Sequence, residues 1–108
     1  MSEILQGTTP SLEIKINTED FDVSDVVKLE LTMWNGDAST KYGLLDVTVD
    51  TEANSFIYRF TEAETLALIP NRALYYQARF LFADGTIVGT KKEKIEVADL
   101  YSEDVMGG

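Results

Sequence analysis

Residues 26–36 read VVKLELTMWNG, and this stretch decides the fold class of the chain. Apolar and polar side chains alternate along it with a period of two, which is typical of a β-strand that buries one face. The predicted inward positions are Val27, Leu29, Leu31 and Met33. Asn35 and Gly36 follow, and this dipeptide favours a tight turn between antiparallel strands. The stretch therefore predicts the first half of a hairpin.

Strand patterns continue through most of the chain. Further strands are predicted for residues 11–16, for 40–50 with a break near Gly43, for 56–60, for 73–82 and for 86–97. Asp84 and Gly85 give a second hairpin signal between the last two strands. The inward positions predicted on these strands are Leu12, Ile14, Ile16, Leu45, Val47, Val49, Phe56, Tyr58, Phe60, Leu74, Tyr76, Ala78, Phe80 and Phe82.

One short helix interrupts the strands. Thr61 and Glu64 have the spacing of a capping box, and Pro70 ends the helix-forming stretch, so a helix is predicted over about residues 62–69. About seven short strands, with this helix before the penultimate one, predict an all-β, immunoglobulin-like antiparallel β-sandwich. Residues 1–97 are predicted to form this single domain, and residues 98–108 a tail.

The opening strand is predicted to divide between the two sheets. Gly7 and Pro10 interrupt the apolar positions of residues 4–16. Proline cannot donate a hydrogen bond to a sheet, so it belongs at an edge or at the start of a strand. The half before the break can therefore join one sheet and the half after it the other.

Charge and composition exclude several classes of function. The 108 residues carry 19 Asp and Glu against 9 Lys and Arg, a net charge of −10, which opposes binding to nucleic acids and to anionic membranes. Cysteine and histidine are both missing, so the commonest general base and the usual transition-metal ligands are unavailable. We therefore predict no enzymatic activity, no cofactor and no metal. The sequence also shows neither a signal peptide nor a membrane span.

Two charged clusters have plain structural interpretations. Asp20, Asp22 and Asp25 lack the central glycine and closing glutamate of a calcium-binding loop, so a solvated acidic turn is predicted. Residues 90–94 read TKKEK, and their alternation is out of step with the flanking apolar positions. A bulge or an overhanging edge strand is predicted there. Its lysines can prevent unwanted pairing with another strand, or, alternatively, this edge can bind a partner.

Outward-facing aromatic, arginine and aliphatic residues predict a protein-contact surface. Ile57 and Arg59 are expected to lie on a strand next to residues 73–82, so that their side chains share one face with those of the longer strand. The residues of this predicted surface are Trp34, Ile57, Arg59, Tyr75, Arg79 and Leu81.

Two segments carry a family resemblance. Residues 4–16 (ILQGTTPSLEIKI) and 73–97 (ALYYQARFLFADGTIVGTKKEKIEV) resemble the opening and the closing hairpin of the N-terminal domain of phage baseplate upper proteins. The matching positions of the hairpin are Tyr76, Ala78, Asp84, Gly85 and Ile87. The resemblance implies an immunoglobulin-like domain that attaches tail-tip components to one another.

The resemblance also sets the expected function. It implies a virion structural or adaptor protein of the tail or baseplate, assembled in the cytoplasm of the host bacterium, with other tail proteins as partners and a homo-oligomeric state. The alternative is a carbohydrate-binding β-sandwich module that binds its ligand through exposed aromatic side chains. Trp34 is the one tryptophan in the chain.

Overall fold

The chain folds into two β-sheets. The computed structural model describes residues 3–16 and 21–99, and these ranges contain nine strands and one α-helix, Glu62–Ala67 (α1). The strands are Glu3–Leu5 (β1), Ser11–Lys15 (β2), Val26–Asn35 (β3), Ala38–Tyr42 (β4), Thr48–Asp50 (β5), Ser55–Arg59 (β6), Leu74–Phe82 (β7), Ile87–Gly89 (β8) and Glu93–Ala98 (β9).

The strand order is that of an immunoglobulin-like sandwich. The larger sheet runs β1-β9-β7-β3-β4, with β8 also paired to β7, and the smaller sheet runs β2-β6-β5. These orders correspond to the GFC sheet with an added C′ strand and to the B-E-D strands of immunoglobulin domains. The predicted all-β sandwich is confirmed. One pair departs from an all-antiparallel arrangement, because β1 runs parallel to β9.

The predicted division of the opening strand is also confirmed. Residues of β1 pair with β9 in the larger sheet, whereas β2 pairs with β6 in the smaller one. Gly7 lies between the two halves with φ of 76°, a left-handed conformation that glycine adopts without steric cost. Gly7 thus allows the chain to cross from one sheet to the other.

The core lies between the sheets, where the inward positions of β2, β6 and β7 are found as predicted. Phe56 of the smaller sheet and Phe80 of the larger sheet are fully buried and stack with ring centroids 5.5 Å apart. Tyr76, which was also predicted to point inward, is half-buried. The buried apolar residues are Ile4, Leu12, Ile14, Ile16, Val23, Val26, Leu29, Leu31, Met33, Phe56, Tyr58, Phe60, Leu74, Ala78, Phe80, Phe82, Ile95 and Val97.

A bulge corrects one predicted core position. The pairing of β3 with β7 shifts between Val26 and Lys28, so that Val26 is buried and Val27 is 56% exposed. A bulge places two residues of one strand opposite one residue of its partner, which breaks the strict alternation. Leu29, Leu31 and Met33 beyond the bulge are buried as predicted.

The strand predicted over residues 40–50 breaks near Gly43 as expected, but the residues directly after the break do not form a strand. Residues Leu44–Asp46 form a 3-10 turn that carries the chain from β4 in the larger sheet to β5 in the smaller sheet. The Asp46 carboxylate closes this turn by accepting a hydrogen bond from the Gly43 amide at 2.7 Å. Leu45 lies on this turn and is fully exposed, whereas Val47 is half-buried against the core; Val49 of β5 is also exposed, contrary to its predicted inward position.

The last predicted strand is divided into β8 and β9, which both pair with β7. The predicted irregularity near residues 90–94 is confirmed, since the break falls at residues 90–92. Thr90 satisfies the backbone of Ala78 at this break, because its amide donates to the Ala78 carbonyl at 2.8 Å and its Oγ1 accepts from the Ala78 amide at 2.9 Å. Because the last strand is split, α1 precedes the third strand from the end.

The ends of several predicted elements also change. The helix α1 stops at Ala67 instead of residue 69, although its capping box between Thr61 and Glu64 is present as predicted. Strand β9 extends to Ala98, one residue into the predicted tail, and residues 100–108 of that tail lie outside the described residues. Asp20 also lies outside them, whereas Asp22 caps a 3-10 turn at Val23–Asp25.

Candidate contact surface

Four of the six predicted contact residues share the outer face of the larger sheet. Trp34 of β3 lies opposite Tyr75 of β7, and their rings stack with centroids 5.8 Å apart and planes inclined by 21°. The Lys92 ammonium lies 5.0 Å from the centroid of the Tyr75 ring, which is within the range of a cation–π interaction. The aromatic pair therefore forms a fixed, half-exposed feature at one end of this face.

An ion pair occupies the middle of the same face. Arg79 of β7 donates from Nε and Nη2 to Glu30 Oε1 of β3 at 3.1 and 2.8 Å. The hydrogen bond from Arg79 lowers the pKa of the Glu30 carboxyl below its ordinary value. Because the pair is open to water, its contribution to stability is small, and both groups remain available to a partner.

An apolar groove completes the face. Leu81 lies between Lys28 of β3 and Ile87 of β8, and these side chains line a groove of about 170 Å³ together with Arg79. Ile87 is 64% exposed and was not among the predicted contact residues. The three residues Ala83, Asp84 and Gly85 between the predicted strands could have revealed it, since a loop of this length places residue 87 opposite residue 81. We call Trp34, Tyr75, Arg79, Leu81 and Ile87 the outer face.

Ile57 and Arg59 do not belong to this face. They point outward from β6, which pairs with β2 and β5 in the smaller sheet, so the expectation that β6 lies beside β7 is wrong. The two strands instead face each other across the core through Phe56 and Phe80. Ile57 and Arg59 lie on the opposite side of the sandwich, and their role in protein contacts stays a prediction.

No family model, curated protein or solved structure matches this chain. Any function of the outer face therefore has to be argued from its own geometry and from the resemblance of the two segments described above.

Sequence reasoning missed a polar cluster that joins the two sheets. Glu64 of α1 accepts hydrogen bonds at Oε2 from the hydroxyls of Tyr42 and Tyr58, each at 2.5 Å. Its Oε1 accepts from the Thr61 amide at 2.8 Å, which completes the capping box. Tyr42 belongs to β4 of the larger sheet and Tyr58 to β6 of the smaller sheet. We call Glu64, Tyr42 and Tyr58 the clasp.

The electrostatics of the clasp keep the carboxylate charged and the phenols neutral. Burial raises the pKa of Glu64, but the hydrogen bonds from Tyr42 and Tyr58 outweigh it, so the pKa lies below its ordinary value. Burial, and then hydrogen bonding to Glu64, raise the pKa values of both tyrosines. A carboxylate that already accepts three hydrogen bonds is poorly suited to take up a proton, so this arrangement favours a structural role over general base catalysis.

Asn35 forms a second polar anchor that the sequence did not reveal. The hairpin turn consists of Gly36 and Asp37, so Asn35 stays in β3, where it is buried. Its Oδ1 accepts from the Ile69 amide at 2.6 Å, and its Nδ2 donates to the carbonyls of Arg72 and Ala73 at 3.1 and 3.3 Å. Asn35 thereby fixes the segment between α1 and β7.

Two further findings concern the described residues, 3–16 and 21–99. Within them, no group of three or more His, Cys, Asp or Glu side chains is arranged to hold a metal ion. No helix in these ranges is both long and apolar enough to cross a lipid bilayer.

Proposed function

We propose that this chain is a non-enzymatic structural or adaptor protein of a phage or prophage tail, and that it acts by docking its outer face onto another tail or baseplate protein. The observation that carries the proposal is the arrangement of the outer face. An aromatic stack, an arginine ion pair and the apolar pair Leu81 and Ile87 follow one another along paired strands. Aromatic and arginine side chains with adjacent aliphatic groups are enriched at protein interfaces.

The resemblance of residues 4–16 and 73–97 to the N-terminal domain of baseplate upper proteins supports the choice of a tail partner. The net charge of −10 supports a protein partner over a nucleic acid or an anionic membrane. Under this proposal the protein is made in the bacterial cytoplasm and is incorporated into the virion there.

The proposal is tested on tail particles released from the source bacterium. Antibody detection and mass spectrometry of particles purified on a density gradient should find the protein in them. A strain carrying Tyr75→Ala with Leu81→Asp should release particles that lack it, although the purified variant remains folded. The control is Ile57→Ala with Arg59→Ala, which changes the two predicted contact residues that lie on the opposite side of the sandwich. Absence of the wild-type protein from the particles would refute the proposal.

A carbohydrate-binding module is the second candidate, because Trp34 and Tyr75 are half-exposed on a sheet face. The Tyr75 ring already contacts Trp34 and Lys92, which reduces the aromatic surface open to a sugar ring. Calorimetry with purified cell-wall polysaccharide distinguishes the two functions. Binding that is lost in Trp34→Ala would support the module, whereas no binding heat would favour the adaptor.

A further inference from the structure

Strand β2 leaves one edge of the smaller sheet open. It pairs with β6 on one side, and in the part of the chain that the structure describes no strand pairs with its other side. A cleft of about 580 Å³ runs along this edge, with Ile14, Tyr76, Val88 and Lys91 among its lining residues. An open edge exposes backbone donors and acceptors that can pair with another strand.

The hydrogen bonds of β2 identify which backbone groups are free. The Pro10 carbonyl accepts from the Phe60 amide, and the Ile16 amide donates to the Asn54 carbonyl, so the even-numbered residues direct their backbone groups to β6. In an antiparallel pair the backbone groups of successive residues point to opposite sides of the strand. The amides and carbonyls of Ser11, Glu13 and Lys15 therefore face the open edge.

The side chains of this edge are complementary to themselves. Glu13 and Lys15 are two residues apart on the solvent-facing side of the smaller sheet, and each is about half exposed. In an antiparallel pair of two β2 strands, a two-fold axis through Ile14 places Glu13 opposite Lys15 of the second copy. By symmetry, Lys15 then lies opposite Glu13 of the second copy. Both pairs join residues with free backbone groups, so each can form two backbone hydrogen bonds.

Other registers that satisfy the backbone are less favourable. An axis through Glu13 sets two glutamates against each other, which is destabilising. An axis through Leu12 sets Ser11 opposite Glu13 and forms no ion pair. Charge therefore selects the axis through Ile14. The segment 11–15 also has no net charge, so the repulsion between two chains of −10 is weakest where these strands meet.

From this geometry we propose that β2 is the self-association edge of the protein. Two copies pair their β2 strands about a two-fold axis at Ile14, which joins the two smaller sheets into one continuous sheet and covers the cleft in both copies. The interface is isologous, as in most symmetric dimers. The inference rests on the proposed function only in treating the chain as an assembly protein. The β2 edge is a different surface from the outer face, so the dimer and the proposed docking can each be refuted without the other.

Charge exchange tests this arrangement directly. Sedimentation velocity of the wild type should show a species of twice the chain mass of 12.1 kDa. Lys15→Glu places two glutamate pairs across the axis, and Glu13→Lys places two lysine pairs there, so each variant should weaken the dimer at least about tenfold. A mixture of the two variants restores opposite charges at every position and should form a heterodimer.

The mixing experiment also controls for folding. Glu13 accepts a hydrogen bond from Ser55 Oγ at 3.0 Å, so Glu13→Lys could weaken the domain itself, whereas Lys15→Glu retains this bond. Circular dichroism of each variant checks the fold, and recovery of a dimer on mixing cannot arise from misfolding. A monomeric wild type at every concentration reached, or folded variants that fail to combine, would overturn the inference. So would a dimer that Tyr75→Ala with Leu81→Asp abolishes and Lys15→Glu leaves intact, which would place the contact on the outer face.

Discussion

Replacing Glu64 with glutamine should break the clasp without changing the shape of the side chain. Glutamine can keep its Oε1 on the Thr61 amide, because glutamine also suits the third position of a capping box. Its Nε2 then faces two phenol hydroxyls where Oε2 accepted from both at 2.5 Å. Nε2 carries two hydrogens, so each hydroxyl can turn to accept one of them, but both bonds are then neutral and the two phenol protons lose their acceptor.

The structure gives the size of this effect. Hydrogen bonds to a charged group contribute about 1.5–3 kcal/mol each, and neutral ones about 1 kcal/mol. Glu64→Gln replaces two charge-assisted bonds with two neutral ones. Because Glu64 is only half-buried, water replaces part of the loss, and we expect the free energy of unfolding to fall by about 2 kcal/mol.

Urea unfolding at pH 7, followed by tryptophan fluorescence, measures this change. The matched control is Glu52→Gln in the exposed turn after β5, which makes the same change in net charge at a side chain outside the clasp. Tyr58→Phe completes a double-mutant cycle, in which the coupling with Glu64→Gln should be at least about 1 kcal/mol. Equal losses in Glu64→Gln and Glu52→Gln, or additive effects in the cycle, would show that the clasp does not join the sheets.

Four further predictions follow from the same structure. The Glu64 pKa is lowered, so its contribution to stability is complete above the ordinary carboxyl pKa and disappears as the pH falls through the folded value; urea unfolding should show the gap between wild type and Glu64→Gln narrowing as the pH falls from neutral to below the ordinary carboxyl pKa. Asn35→Ala removes the buried side chain that accepts from the Ile69 amide and should lower the free energy of unfolding by about 2–3 kcal/mol, with Asn35→Asp at least as damaging because its carboxylate faces two carbonyl oxygens. Leu31→Ala and Phe80→Ala should each cost about 2–5 kcal/mol in urea unfolding, whereas Glu30→Ala on the wet face should leave the unfolding midpoint almost unchanged, and equal effects of all three would contradict the observed registers. Gly36→Ala should lower the melting temperature more than Gly85→Ala: both glycines have positive φ, but a Cβ at residue 36 would lie 2.7 Å from Ile69 Cδ1, whereas one at residue 85 meets nothing within 4 Å.

The inward positions of β6 and β7 could be predicted because these strands keep a strict period of two. The prediction failed where the backbone departs from that period. The bulge exposes Val27, and the 3-10 turn exposes Leu45. The apolar and polar residues of the sequence keep alternating through both places. The pattern alone therefore does not reveal that the backbone changes there.

The candidate sites depend on which strands become neighbours, and this is where local patterns carry least information. Tyr75 and Arg79 could be assigned outward from their own strand, but the expected place of Ile57 beside them was wrong because β6 joins the other sheet. Glu64 could be assigned to a capping box from its distance to Thr61. Its contact with Tyr42 could not, because that pair is 22 residues apart and forms only when the two sheets close.

The parallel pairing of β1 with β9 has a consequence for how the protein folds as it is made. It joins Glu3 to Glu96, so nearly the whole chain lies between the two strands. Closing such a long loop costs entropy that only the completed sandwich can offset. During synthesis β1 therefore has no strand to pair with until β9 has left the ribosome. Strands β3, β4 and β7 can pair before then and form the centre of the larger sheet. The last step in the folding of this sandwich should be the docking of β1 onto β9.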